Sequence, residues 1–249
     1  MPRLFIAALI VVALIALLAF TARLNPQVSA SPQELTVISQ TGGNEVLTAV
    51  VLENEVKIRL KNNHKDTITA YAIKFSDTTI KEDFVYSEVP LGIEPGDTFE
   101  RSYPISSSSP GKLPTVYLLT VLLQNGQKDG NAKVAQEIAD VRLGNKIQVL
   151  RTLRILDKEE PTRKGAKALK VEITAALDAG EFDALALKKE LLPASETDDS
   201  LSTNLKKGLH WGREKMLRSF QTLEQMPIER QEQGIIELKD RVRKLFAKL

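Results

Sequence analysis

Between Leu113 and Leu156 the apolar period of the chain changes, and no single element can satisfy both periods. Val116 to Leu123 reads VYLLTVLL, a near-continuous apolar run of strand length, as expected for a strand covered on both faces. The turn signals Asn125-Gly126 and Asp129-Gly130 follow, with Asn131 placed to cap a helix. Val134, Ile138, Val141, Ile147 and Leu150 then recur near helical spacing. Side chains repeat every 2 residues on a strand and every 3.6 on a helix, so a β half must give way to an α half near residue 131. The strand should be central in its sheet, and the helix should pack back against the β half, because Val134, Ile138 and Val141 need somewhere to bury. The competing expectation is a hinge at Gly126 and Gly130. Gly144 interrupts the helical pattern, so a bend or short break is expected there.

Upstream, from Gln33 to Leu123, the apolar period is two. In Glu55 to Lys61, Val56, Ile58 and Leu60 alternate with Lys57, Arg59 and Lys61, one face for the core and one for water. After the polar turn Asn62 to Asp66, the run Thr67 to Phe75 places Thr69, Tyr71, Ile73 and Phe75 on one side and Ile68, Ala70 and Ala72 on the other, both apolar enough for an inner strand. Leu35 to Ser39 and Val46 to Leu52 precede these, separated by Gly42-Gly43. Thr78 to Val89 fits neither period and reads as a connection with some strand content. Pro95-Gly96 suits a type II turn, Phe99 to Ile105 returns as a strand, and Ser106 to Gly111 reads as a loop. Roughly six or seven short strands with turns between them make a β-sandwich the leading fold for this half.

Val56-x-Ile58-x-Leu60-Lys61-Asn62, Ile68, Ile73, Phe75-x-Asp77 and Ile93-x-Pro95-Gly96-Asp97 together resemble the strand, turn and bend of immunoglobulin-like modules in bacterial exported proteins, including the FxLYD type. The resemblance covers residues 35–125, without the aromatic dipeptide of that family and with a longer connection over 78–90. It implies a binding or spacer module and carries over no catalytic residue.

The α half continues with a helix from Ala166 to Ala179, closed by Gly180, and another from Phe182 to Leu192, closed by Pro193. Leu201, Leu205, Leu209, Gly212, Met216, Phe220 and Leu223, then Ile235, Leu238, Val242, Leu245 and Leu249 after Met226-Pro227, form two apolar stripes, as in an antiparallel helical hairpin. Thr197-Asp198-Asp199-Ser200 offers capping oxygens at its start, and Gly208 and Gly212 point to close helix contact. The expected fold is α+β: an N-terminal antiparallel immunoglobulin-like β-sandwich (31–130) followed by a C-terminal helical bundle (131–249).

The amino terminus directs the chain out of the cytoplasm. Arg3, the apolar run of residues 4–20 and the small residues Val28-Ser29-Ala30 read as a secretory signal cleaved after Ala30. The alternative is a retained anchor, although residues 4–20 as helix span roughly 25 Å against a hydrocarbon core of roughly 30 Å. In either case the remainder is extracytoplasmic, periplasmic or secreted, with Arg3 inside. Cys is 0, which excludes disulfides, thiolate metal sites and cysteine nucleophiles.

Lys+Arg of 34 against Asp+Glu of 32 leaves a net charge of +2, without the concentrated basic excess of a nucleic-acid surface. The basic residues Arg142, Lys146, Arg151 and Arg154, and Lys239, Arg241, Arg243, Lys244 and Lys248, read as solvated helix faces, with attraction to anionic lipid or cell-wall polymer as the alternative. His64 and His210 are the only histidines, in different halves; no HExxH, GxSxG or Walker loop is present, so no metal, cofactor or catalytic site is expected. His64 reads as a solvated turn residue.

His210, Trp211 and Arg213 fall within about one helical turn. Trp211, the single tryptophan, belongs under a neighbouring element unless this turn is a partner-binding patch for an envelope protein or polymer. Asp198, Asp199, Asp178, Glu181 and Asp183 read as helix-start acids. The functional expectation is an exported, non-enzymatic interaction or structural protein of the bacterial cell envelope. The alternative is an envelope-polymer hydrolase with Asp198, Glu214 and His210 as its working groups. Mass spectrometry of the exported protein should find a product beginning at Ser31; a full-length membrane-bound product refutes cleavage.

Overall fold

The computed structural model describes residues 31–52, 55–76, 84–104, 113–158, 165–192 and 200–249. The apolar segment 4–20, the serine run Ser106 to Ser109 and the acids Asp198 and Asp199 lie outside the described residues. The fold is α+β, with β-sheets in the N-terminal part and helices in the C-terminal part. The strands are β1 (Gln33–Glu34), β2 (Val37–Ser39), β3 (Glu45–Leu52), β4 (Glu55–Asn62), β5 (Ile68–Phe75), β6 (Phe84–Ile93), β7 (Thr98–Pro104), β8 (Val116–Leu123) and β9 (Lys128–Gly130).

One sheet has the order β1-β3-β4-β7, the other β2-β8-β5-β6 with β9 also paired to β8. All pairings are antiparallel except β2 with β8, where Val37 meets Val116 in parallel. The chain switches sheets between β1 and β2: Leu35 N–H donates to Ala49 O in one sheet, and Thr36 O accepts from Val116 N–H in the other. The inner faces of both sheets feed one apolar cluster, in which Val56, Ile58 and Leu60 meet Tyr71, Ile73, Phe75, Val116 and Leu118. An edge-on contact between Phe75 and Tyr103, 5.4 Å between centroids, and a Tyr71–Tyr103 hydroxyl hydrogen bond of 3.0 Å join the sheets. The Pro95-Gly96 bend is a turn closed by Asp97 N–H to Glu94 O, with Gly96 at φ 88° as type II requires.

β5 departs in one detail from simple alternation. A bulge between Ile68 and Ala70 shifts the register, so Ile68 rather than Thr69 joins Tyr71 and Ile73 in the inner core. On the opposite face Ala70 and Ala72, with Leu119 and Leu122, pack against Ile138 of the first helix, and Tyr117 and Val134 flank them. The alanines present a flat surface that a helix can approach closely. Burying Ile138 there, at 2% exposure, contributes about 2 kcal/mol. Arg142 Nη2 adds a hydrogen bond of 3.0 Å to Thr69 O.

The helices are α1 (Ala132–Lys158), α2 (Gly165–Leu177), α3 (Glu181–Leu191), α4 (Thr203–Glu224) and α5 (Ile228–Lys248). Asn131 caps α1, its Oδ1 accepting from Val134 N–H at 3.1 Å. Gly144 does not break this helix, which runs unbroken through it. Its role is proximity to α4: a Cβ at Gly144 would lie 2.2 Å from Leu205 O, and one at Gly208 would lie 2.1 Å from Val141 O. The two helices therefore meet backbone to backbone. Beyond the crossing, Val149, Leu153 and Leu156 of α1 bury with Leu169 and Ile173 of α2, Met216 and Phe220 of α4, and Ile235 and Leu238 of α5. Ile147, Leu187 and Leu205 form a smaller cluster that seats α3.

Three expectations about punctuation are corrected. Gly180 has φ −65° and precedes α3 as its N-cap, so it is not a left-handed cap of α2. Asp129-Gly130 belongs to β9, and Gly130 is crowded against Leu119 O at a distance of 2.3 Å for an added Cβ, a packing site rather than a hinge. α4 is capped by Ser202 Oγ, which accepts from Leu205 N–H at 3.1 Å and donates to Asp140 at 2.6 Å. Gly208→Ala gains about 1 kcal/mol of helix propensity but forces apart two backbones, so urea unfolding should show a net loss of at least about 2 kcal/mol. Gly180→Ala, with nothing within 4 Å of its added Cβ, should change stability by less than about 0.5 kcal/mol.

Candidate functional site

The inward stripe of α4 is consumed by the glycine crossing and the helical core, which leaves its outward stripe to the surroundings. Trp211, Glu214, Lys215, Arg218 and Ser219, spaced by three and four, line a shallow open hollow along that stripe. The indole of Trp211 is 39% exposed, and Lys207 Nζ lies 4.5 Å above its ring. The expectation that this indole packs beneath a neighbour is thus corrected: the inner face at this level is taken by Gly208 and Gly212, so a residue one position before Gly212 must point away from α1.

His210 stands on the same exposed side, its Nε2 3.5 Å from Glu214 Oε1. Arg213 sits at the edge of the stripe and turns to α2, forming a two-pronged ion pair with Asp178 through Nε at 2.5 Å and Nη2 at 3.2 Å. That pairing holds the Asp178 carboxyl below, and the Arg213 guanidinium above, their ordinary values, against a smaller opposing effect of burial. Of the groups expected for polymer hydrolysis, His210 and Glu214 are neighbours in the open, and Asp198 lies outside the described residues.

The other acids act as clips between helices. Glu181 pairs with Lys206 at 2.7 Å, and Asp183 pairs with Arg151 at 2.7 Å. Arg151 is not part of a solvated face; its side chain is 4% exposed. It donates to Ala179 O at 3.1 Å and Gly180 O at 3.4 Å beyond the end of α2, beside Gln148, which donates to Leu177 O at 3.2 Å and Leu209 O at 3.1 Å. Others of the basic set are similarly engaged, Arg154 with Glu190, Lys146 over the Phe246 ring at 5.0 Å, and Lys239 and Arg243 with Asp157, while Arg241 and Lys244 are exposed, as on a solvated face.

A cluster that the sequence did not reveal lies in the β half. Glu45 opens β3, His64 sits in the β4–β5 turn and Asp129 is in β9. His64 is no solvated turn residue: its side chain is 8% exposed and its Nε2 lies 2.6 Å from Glu45 Oε2, with Asp129 Oδ2 at 3.9 Å. Glu45 is fully buried at its side chain, and among the described residues its Oε1 is the one buried side-chain oxygen without a hydrogen-bond partner. Burial pushes the Glu45 carboxyl up from its ordinary value, the hydrogen bond and charge of His64 pull it back, and the nearby Asp129 charge raises it again. The sequence held a trace of this in the turn itself: Asn62 is buried, donates to Asp66 O at 2.9 Å and Ile93 O at 2.7 Å, and accepts from His64 N–H at 2.8 Å, folding the turn inward.

No protein-family model matches the chain, and a search of curated proteins gives no match. The site therefore rests on its own geometry. Arg213→Ala should lower stability by no more than about 1 kcal/mol at neutral pH, because both partners are partly solvated. Asp178 has its pKa lowered by folding, so the pair's contribution is complete above 3.8 and is lost as pH falls through the lower folded value. Urea unfolding of wild type and variant should differ at pH 7 and coincide in strong acid.

Proposed function

We propose that this is an exported protein of the bacterial cell envelope that acts by binding, with the outward stripe of α4 as its contact surface and an immunoglobulin-like β-sandwich as the module that carries it. The observation that carries the reading is the exposed indole of Trp211, set among Lys207, Lys215 and Arg218 on a helix whose opposite face is packed. Tryptophan and arginine dominate interface energetics, and an aromatic ring on a fixed helix contributes contact area with little ordering cost. Three cations against Glu214 select an acidic partner, an envelope protein or polymer.

The sandwich reading is supported by strand order. β3-β4-β7 faces β6-β5-β8-β9 across a shared core, the arrangement of a Greek key in which successive hairpins alternate between sheets. Export is supported by the basic start, the apolar run of residues 4–20 and the small residues at Val28 to Ala30.

Trp211 is the sole tryptophan, so its emission reports directly on this surface. Titrating the full-length protein with acidic envelope components should shift that emission to the blue. Trp211→Ala should weaken capture about 30-fold, the size of a hot-spot loss of about 2 kcal/mol. Phe182→Ala, at a more exposed aromatic residue on α3, should leave capture unchanged. Equal capture by all three proteins, or an emission spectrum indifferent to every envelope fraction, overturns the proposal.

A further inference from the structure

The buried cluster of Glu45, His64 and Asp129 has the composition and spacing of a cation site. The three donor atoms, one imidazole nitrogen and two carboxylate oxygens, lie within 4.8 Å of one another. An ion bound at about 2.0–2.2 Å holds neighbouring ligand atoms roughly 3–4 Å apart. His64 Nε2 and Asp129 Oδ2, 3.9 Å apart, already meet that condition. The Glu45–His64 contact of 2.6 Å has to widen by less than about 1 Å for an ion to enter, one hydrogen bond giving way to two metal bonds.

Independent of spacing, the Glu45 carboxylate is incomplete as it stands. Its side chain is fully buried, Oε2 faces His64, and Oε1 lacks a hydrogen bond of normal geometry, the Ser39 hydroxyl giving the carboxylate only a minor stabilisation. A buried carboxylate with a bare oxygen and a second carboxylate nearby is costly without a cation to neutralise both.

The groups around the cluster hold it in place. Gly42 N–H donates to Asp129 Oδ1 at 2.8 Å, leaving Oδ2 turned towards His64. Thr120 Oγ1 donates to Asp129 O at 2.6 Å. Asn63 N–H donates to Asn44 O at 2.8 Å, tying the residue before His64 to the residue before Glu45. Such outer contacts fix ligand orientation before an ion arrives.

We propose that Glu45, His64 and Asp129 form a divalent transition-metal site, with zinc as its preferred occupant. An imidazole beside two carboxylates favours zinc over magnesium or calcium, which take oxygen ligands alone. Asp129 is the partly exposed member, its side chain 25% accessible, so the fourth position of a tetrahedral ion faces solvent and takes water. The ion joins the start of β3, the β4–β5 turn and the strand that leads into α1, and its effect is on stability.

The test uses the full-length chain stripped of metal with a chelator and titrated with zinc chloride. One equivalent should bind saturably, and the thermal midpoint should climb with zinc concentration. Excess magnesium should not displace it. Asp129→Asn keeps an oxygen for Gly42 N–H and removes a charged ligand, so it should fold normally by circular dichroism yet bind zinc at least tenfold more weakly. Cobalt substitution gives a second readout: visible absorption bands of a four-coordinate ion are expected in wild type, and their loss in His64→Ala. Failure of wild type to bind one equivalent overturns the proposal. So does binding that survives Asp129→Asn and disappears in His210→Ala, because that places the ion on the exposed His210–Glu214 pair.

Discussion

The backbone contact between α1 and α4 is the constraint on which the α half depends. Gly144 and Gly208 face each other so closely that an added Cβ at either would fall far inside van der Waals contact with a carbonyl oxygen, at 2.2 and 2.1 Å. Glycine is poor in a helix, by roughly 1 kcal/mol relative to alanine, and the offset comes from what proximity permits. With the axes this close, Gln148 can bridge Leu177 O of α2 and Leu209 O of α4, and Arg151 can reach the carbonyls of Ala179 and Gly180. The Leu177 and Ala179 carbonyls lie at or beyond the end of α2 and have no partner within it. The crossing and the buried polar network are coupled through Gln148: separating α1 from α4 to admit a side chain would also break its bond to Leu209 O.

α1 carries this constraint into the β half. Its first turns put Ile138 on Ala70, Ala72 and Leu122, and its last turns put Leu153 and Leu156 among α2, α4 and α5. The same helix thus belongs to two cores, and the small residues on β5 do for the sheet what the glycines do for α4. Gly130 works in the same sense at the point where β9 hands over to the helix, since only the absence of a side chain lets it sit against Leu119 O. A glycine read from sequence as freedom of movement is here a condition of contact.

Features legible in the sequence are those whose partners are local or periodic. The alternation of Val56, Ile58 and Leu60, the apolar density of β8, the Asn131 cap, the Pro95-Gly96 turn and the stripes of α4 and α5 all follow from spacing within one element. What stayed hidden needed a partner from elsewhere in the chain. Arg151 looks like one cation in a basic row until the end of α2 is brought against it. His64 looks like a turn residue until Glu45 and Asp129, on separate strands, close over it. Thr69 and Ile68 exchange places because of a bulge that leaves no mark in composition. Trp211 was misplaced for a different reason: an aromatic residue in an amphipathic helix suggests a core position, but the flanking glycines had already claimed the inner face.

That last point bears on what the surface of α4 can do. A helix with its inner side chains interdigitated against a partner has some slack, because rotamers can adjust when the outer face is loaded. At Gly208 the contact is main chain against main chain, with no side chain to yield. The Arg213–Asp178 and Lys206–Glu181 pairs, seven residues apart and so on one side of α4, add lateral ties to the end of α2 and the start of α3. Trp211, Lys215 and Arg218 are consequently held on a frame that loses little freedom when a partner arrives, and binding to such a frame wastes less of its contact energy on ordering. Rigidity of the inner face, and with it the recognition proposed for the outer face, follows from the same pair of glycines.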